Sequence, residues 1–174
     1  MTNPVDWSLR DAVSEDAEAI AGIYNHYVEH STATFEEIAV APGEMAERVR
    51  FVQQAGLPWL VAERHGEVQA YAYATEWRAR TAYRHSVEVS AYVEPDQSRS
   101  GMGTALYSAL IERLGALKKH SLIAVVTLPN AASAAFHDKL GFSQVAHLKE
   151  VGYKFDRWLD VGYWQRVLAY TRSF

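Results

Sequence analysis

The 174-residue chain contains no cysteine, which removes disulfides, a thiol nucleophile and a cysteine zinc site from its chemistry. It has no basic excess either. Its 17 Lys and Arg stand against 21 Asp and Glu, a formal net charge of -4, so the basic face on which nucleic-acid affinity rests is missing. The longest clean aliphatic run, Leu122-Ile123-Ala124-Val125-Val126, is far too short to cross a bilayer. Met1-Thr2-Asn3-Pro4-Val5-Asp6 lacks the basic segment and apolar stretch of a secretory leader, and a cytoplasmic soluble protein without membrane or nucleic-acid partners is expected. His26 and His30 stand four apart, but no third ligand accompanies them and no metal site is expected.

At 49% hydrophobic and 22% charged residues, the chain is ordinary globular material, long enough for one core and read as one domain over residues 1–174. Strands are expected at Val5 to Val13, Trp59 to Arg64, Val68 to Thr75, Val87 to Val93 and Leu122 to Thr127. One or two more follow from Phe142. Helices are expected after a Ser14 cap, through Ile20, Tyr24 and Tyr27, then over Glu44 to Gln54, over Thr104 to Lys119, and between Asn130 and Gly141. Ser31 to Glu37 reads as extended. The late strand, helix, strand order predicts a parallel crossover in a mixed α/β domain.

Ser98-Arg99-Ser100-Gly101-Met102-Gly103-Thr104 joins the Val87 to Val93 strand to a helix start. Two glycines let the backbone approach a ligand, and the helix adds the positive end of its dipole, so a phosphorylated guest suits the bend. No Gly-Lys-Ser/Thr closes it and the next glycine, Gly115, is wrongly spaced, which disfavours a nucleoside triphosphate or a dinucleotide.

Asn130, Ser133 and His137 fall on one helical face, away from Phe136 and Leu140. They are either a solvated stripe with Asn130 as N-cap or a face turned to a ligand, and His137 is a candidate proton donor. Glu88 shares the polar side of its strand with Ser90 and Tyr92, either facing solvent or beside a ligand. Arg78, Arg80 and Tyr83 lie in an irregular segment, where guanidinium groups pair with a substrate oxyanion or merely solubilise a loop.

Pro58-Trp59-Leu60-Val61-Ala62-Glu63, the Trp77 to Tyr83 segment, Val87 to Pro95, Leu128-Pro129-Asn130 with Ser133 and His137, Leu140-Gly141-Phe142 and Asp160-Val161-Gly162-Tyr163-Trp164 together resemble the GNAT acetyltransferase superfamily. The likeness is to its phosphinothricin acetyltransferase and amino-acid N-acyltransferase group, over nearly the whole chain. It implies a mixed, V-splayed central sheet of six or seven strands flanked by helices, with acetyl-CoA entering between the Glu88 to Val93 and Leu122 to Thr127 strands. Cofactor contacts carried over are Ala91, Tyr92 and Val93 for the pantetheine, Ser98, Arg99, Ser100, Gly101, Met102, Gly103 and Thr104 for the pyrophosphate, and Asn130 and Ser133. Ser98 departs from the Gln or Arg usual three residues before the first glycine, and Glu36 stands where some phosphinothricin enzymes have Arg.

The resemblance also implies catalysis by Glu88 and His137, and an acceptor pocket shaped by Phe35, Arg78, Arg80, Tyr83 and Val161. The expected reaction is direct N-acetylation of a small amino-acid-like amine in a ternary complex, by a homodimer. Glu88 takes the proton from the ammonium, for which a carboxylate needs water or a raised pKa. His137 either protonates the departing thiolate or only bonds the cofactor. Two other readings stay open, a non-catalytic acyl-CoA sensor and a peptide or protein N-acetyltransferase.

Overall fold

The computed structural model describes residues 6–97 and 100–169. Its elements run β1 (Trp7–Asp11), α1 (Ala17–His30), α2 (Pro42–Gln54), β2 (Trp59–Arg64), β3 (Glu67–Glu76), β4 (Ser86–Val93), α3 (Met102–Ala116), β5 (Ser121–Leu128), α4 (Ala131–Lys139), β6 (Ser143–Lys154) and β7 (Arg157–Val167). Seven strands form one sheet in the order β1-β2-β3-β4-β5-β7-β6. Every neighbouring pair is antiparallel except β4 and β5, which the α3 crossover makes parallel.

Each face of the sheet follows from strand alternation. On β4, Val87 and Val89 point to the α3 side and are buried. There they meet Leu106, Leu110 and Leu114, all fully buried, each stabilising the fold by roughly 1.5–3 kcal/mol through burial. The opposite face is aromatic. Trp59 stacks on Tyr73 at 4.1 Å between centroids, Tyr71 stacks on Tyr92, and Tyr24 and Tyr27 of α1 meet Tyr92 edge-on.

Three local expectations differ from what is observed. Ser14 caps no helix; residues 14–16 form a single 3-10 turn in which the Asp16 carboxylate accepts the Val13 N–H at 2.8 Å. Arg10 completes that arrangement with two bonds to Asp16, at 2.6 and 2.8 Å. The first strand stops at Asp11, and its expected start, Val5, lies outside the described residues. Ser31 to Glu37 joins no strand, because its polar groups are taken by side chains: Thr34 Oγ1 accepts the Glu36 N–H at 3.2 Å, and Ser31 Oγ accepts the Ala33 N–H at 3.0 Å.

Candidate active site

β4 and β5 pair over only three rungs, Ser86 with Ser121, Val87 with Leu122 and Glu88 with Ile123. Past Glu88 they part and leave a cleft of about 640 Å³. Val89, Ala91, Tyr92 and Val93 form one wall, and Val125 to Thr127 with α4 form the other. The Glu94 N–H donates to Gln69 O at 2.8 Å, which assigns the even-numbered residues of β4 to the ladder with β3. Main-chain groups of Val89, Ala91 and Val93 therefore turn toward the gap, a free strand edge for an extended, amide-bearing guest. Two acceptors there already have partners: the Tyr27 hydroxyl donates to Val93 O at 2.6 Å, and the Tyr107 hydroxyl lies 3.5 Å from Val89 O.

The mouth of the cleft is the glycine bend. Gly101 holds φ at 84°, a left-handed conformation that costs a residue with a Cβ roughly 1–2 kcal/mol, and it caps α3. A Cβ on Gly103 would stand 3.1 Å from Val93 Cγ2, so the bare backbone lets α3 lie close against Val93 at the mouth of the cleft. The α3 first turn leaves the N–H groups of Gly103 and Thr104 without intrahelical acceptors beside the cleft. These features fit a diphosphate followed by a slender arm. Ser98 and Arg99 lie outside the described residues. Ser100 is exposed and spends its Oγ on the Met102 N–H at 3.3 Å. Met102 points the other way, its side chain fully buried in the core rather than on the cleft wall.

Asn130 and Ser133 reach the opposite wall, and Asn130 Oδ1 accepts the Ser133 N–H at 3.0 Å as a true N-cap. The face expected to be polar throughout is not. His137 is 8% exposed and ringed by Tyr107, Phe136, Phe142 and Trp164, although it still touches the cleft. Its Nδ1 lies 2.8 Å from Ser133 O and so carries the proton; its Nε2 lies 3.1 Å from the Tyr107 hydroxyl and accepts from it. Burial pushes the His137 pKa down, against a weaker opposing effect of the Ser133 bond, and keeps the ring neutral. Tyr107 escaped the sequence reading because it shares the aliphatic face of α3 with Leu106 and Leu110. The available signal was a lone phenol on a core stripe, whose hydroxyl needs a partner.

Glu88 occupies the vertex where the strands separate, half-buried, opposite Thr75 of β3. Burial raises its pKa, and Arg78 opposes the shift more weakly. Arg78 lies over the Trp77 ring, 4.9 Å from its centroid, and lines a groove of about 620 Å³ with Thr75, Trp77 and Phe51. Arg80 and Tyr83 sit on an exposed 3-10 turn and line none of the described cavities. Val161 is buried on β7 opposite Thr127, so its side chain supports β5 instead of lining a pocket. Phe35 is part-exposed, with its ring against β6 at Gly152.

Glu36, where the resemblance allows Arg, is held by Arg48 at 2.6 and 3.1 Å and by the Tyr24 hydroxyl at 3.0 Å. Burial pushes its carboxyl up, but those bonds outweigh burial and hold it below 4.5. Arg48 also borders a second groove with Trp59, Tyr73 and Thr75, and nothing in the sequence separated it from the other charges of α2. Among the described residues no group of three His, Asp or Glu is placed to hold a metal, and no helix is long and apolar enough to cross a membrane.

Residues 9–162 match the acetyltransferase (GNAT) domain family. The chain is 44% identical over 162 residues to a phosphinothricin N-acetyltransferase of Alcaligenes faecalis, covering 92% of this chain and 82% of that one. It is 40% identical over 170 residues to an L-methionine sulfoximine/L-methionine sulfone acetyltransferase of Pseudomonas paraeruginosa, covering 95% and 97%. Among solved structures, a phosphinothricin acetyltransferase from Sinorhizobium meliloti in complex with acetyl-CoA superposes with a TM-score of 0.90 at 41% identity, covering 94% of this chain and 89% of that one.

Proposed function

The chain belongs to the GNAT acetyltransferase family, as a phosphinothricin acetyltransferase-like N-acetyltransferase that uses acetyl-CoA, and from that premise we propose how its own residues work. It acts as a single domain on the amino group of a small amino-acid-like acceptor, of the phosphinothricin, methionine sulfone or methionine sulfoximine type. The observation that carries this reading is the splay between β4 and β5, with a raised-pKa carboxylate at its vertex and a helix N-terminus at its mouth.

Bound in the splay, acetyl-CoA supplies an activated thioester carbonyl. Gly103 and Thr104 N–H groups hold its diphosphate, and the free edge of Ala91 and Val93 aligns its arm. Glu88 accepts the proton that an ammonium acceptor must lose before it attacks, and its elevated pKa narrows the gap to the amine. The main-chain N–H groups that β3 leaves free on this stretch, those of Ala91 and Val93, steady the charge that develops on the carbonyl oxygen. His137 has no N–H to spare, its Nδ1 proton resting on Ser133 O and its Nε2 on the Tyr107 hydroxyl, so the departing thiolate takes the second proton that the attacking amine loses. Transfer is direct, in a ternary complex. Arg78 and Phe35 border the acceptor, and Arg80 and Tyr83 stand on the exposed turn that follows Arg78.

The contact face of a homodimer is the apolar strip of β6 and β7 that carries the exposed Val151, Tyr153 and Trp158. A cytoplasmic location accords with the absence of cysteine and with use of acetyl-CoA. The test is thiol release from acetyl-CoA in the presence of phosphinothricin, methionine sulfone, methionine sulfoximine and the ordinary amino acids. Release with at least one of them is expected; silence across the whole panel contradicts the reading.

A further inference from the structure

Lys154, on β6, is an ammonium-bearing side chain only 1% exposed and far from Glu88 in sequence. Its Nζ donates to Ser31 O at 2.8 Å and Thr34 O at 2.9 Å, and lies 5.0 Å from the centroid of the Phe155 ring. Those carbonyls flank Ala33, which lines the cofactor cleft, and Phe35 follows directly. Two residues before Lys154, on the same side of the strand, Gly152 gives the Phe35 ring its seat. A Cβ there would fall on the ring atoms, so the ring rests on bare backbone. β6 thus grips one irregular segment by two means, a buried ammonium and a glycine-shaped seat.

The grip continues into the other half of the sheet. Thr34 Oγ1 and the Tyr24 hydroxyl are 2.7 Å apart, Tyr24 donates to Glu36, and Arg48 pairs with Glu36. The Tyr24 ring meets Tyr92, on the cleft wall, edge-on at 5.2 Å. In the sheet itself, among the described residues, the two halves are joined only by the three rungs between β4 and β5. The segment from Ser31 to Glu36 is therefore a strap from β6, the C-terminal edge strand, to α1 on the N-terminal half. Burying an ammonium is costly unless it is paired, and here it is spent on two carbonyls of a segment with no ladder of its own.

We propose that Lys154 is a positioning residue for the acceptor: it fixes the strap so that Phe35 and Glu36 stay in place next to Ala33 on the cleft wall. This rests on the acceptor role given to Phe35 above. Lys154 touches no reacting atom, and the diphosphate cradle at Gly101 and Gly103 lies on another part of the cleft. Loss of the ammonium therefore acts on acceptor binding more than on the chemical step or on acetyl-CoA.

The experiment compares Lys154→Met, Lys154→Arg and Tyr24→Phe with the unaltered protein, by acceptor kinetics, acetyl-CoA titration and amide hydrogen exchange over residues 31–37. Lys154→Met is expected to raise acceptor KM by roughly tenfold, the scale of one or two lost hydrogen bonds to charge, with a much smaller change in kcat and in acetyl-CoA Kd. Lys154→Arg restores part of the KM, and Tyr24→Phe shifts it in the same direction by less. Exchange at the Phe35 and Glu36 amides quickens in Lys154→Met and Tyr24→Phe. An unchanged KM, a parallel fall in kcat and acetyl-CoA affinity, or unaltered exchange overturns the proposal. Should Lys154→Met fail to fold, Tyr24→Phe decides by the same two readouts. If the unaltered protein acetylates no amine, the transferase reading fails, while the exchange measurement still judges the strap.

Discussion

Tyr107 and His137 form a buried pair, phenol to Nε2 at 3.1 Å, with the imidazole proton fixed on Nδ1 by Ser133 O at 2.8 Å. The histidine is an acceptor, and the proton lies on the tyrosine. Tyr107→Phe keeps the ring that packs against Phe136 and Phe142 and removes only the hydroxyl. Loss of the hydroxyl leaves His137 Nε2, on the cleft wall, without its donor, so kcat is expected to fall by about tenfold while acetyl-CoA binding holds. Steady-state kinetics beside calorimetry check this; an unchanged kcat removes Tyr107 from the reaction.

Glu88 is expected to set the acid limb of the pH profile. It accepts a proton only when ionised, so kcat/KM climbs with pH through its folded pKa, which burial places above the 4.5 of a free glutamate. Glu88→Gln should lose that limb and about a hundredfold or more in kcat, again with acetyl-CoA still bound. A variant with the same profile as the parent excludes Glu88 as base.

His137 also links stability to pH. Its folded pKa lies below the unfolded 6.5, so in that interval the unfolded chain binds the extra proton. The contribution of His137 is therefore whole above the unfolded value and is lost as pH falls from there toward the folded pKa. Thermal melts should show Tm dropping as pH falls below about 6.5, and His137→Gln should flatten that part of the curve. An equal slope in both proteins contradicts the assignment.

The sequence made the frame legible because the signals were local. Alternation marked β4, glycine punctuation marked the start of α3, and Asn130 marked the cap of α4, all observed within a few residues. What escaped were long-range partnerships. His137 looked surface-bound on a helical wheel, because no wheel shows that α3 and β7 close over it. Met102 and Val161 were carried to the site by the resemblance, and the structure buries both side chains, which leaves Met102 its main chain alone to offer a ligand.

Lys154 and Arg48 show the same limit from the other side. A lysine near the end of an alternating strand reads as solvent-facing, and only the Ser31 to Thr34 carbonyls, more than a hundred residues away, explain its burial. Arg48 sits in a charged helical run whose meaning depends on Glu36 coming back against it. The exposed turn of Arg80 and Tyr83 is a different case: its residue types matched an acceptor pocket, but the structure leaves it apart from Arg78 and the cleft.

The central claim is that acetyl-CoA lies in the splay of β4 and β5, entering past Gly103. Calorimetric titration of acetyl-CoA into the parent protein and into Gly103→Leu tests it most directly, since the added side chain must start 3.1 Å from Val93 Cγ2, at the mouth of the cleft. The account predicts one acetyl-CoA per chain for the parent and a loss of about tenfold or more in affinity for the variant, with Tm little changed. Absence of binding by the parent, or equal affinity in a folded Gly103→Leu protein, would contradict it.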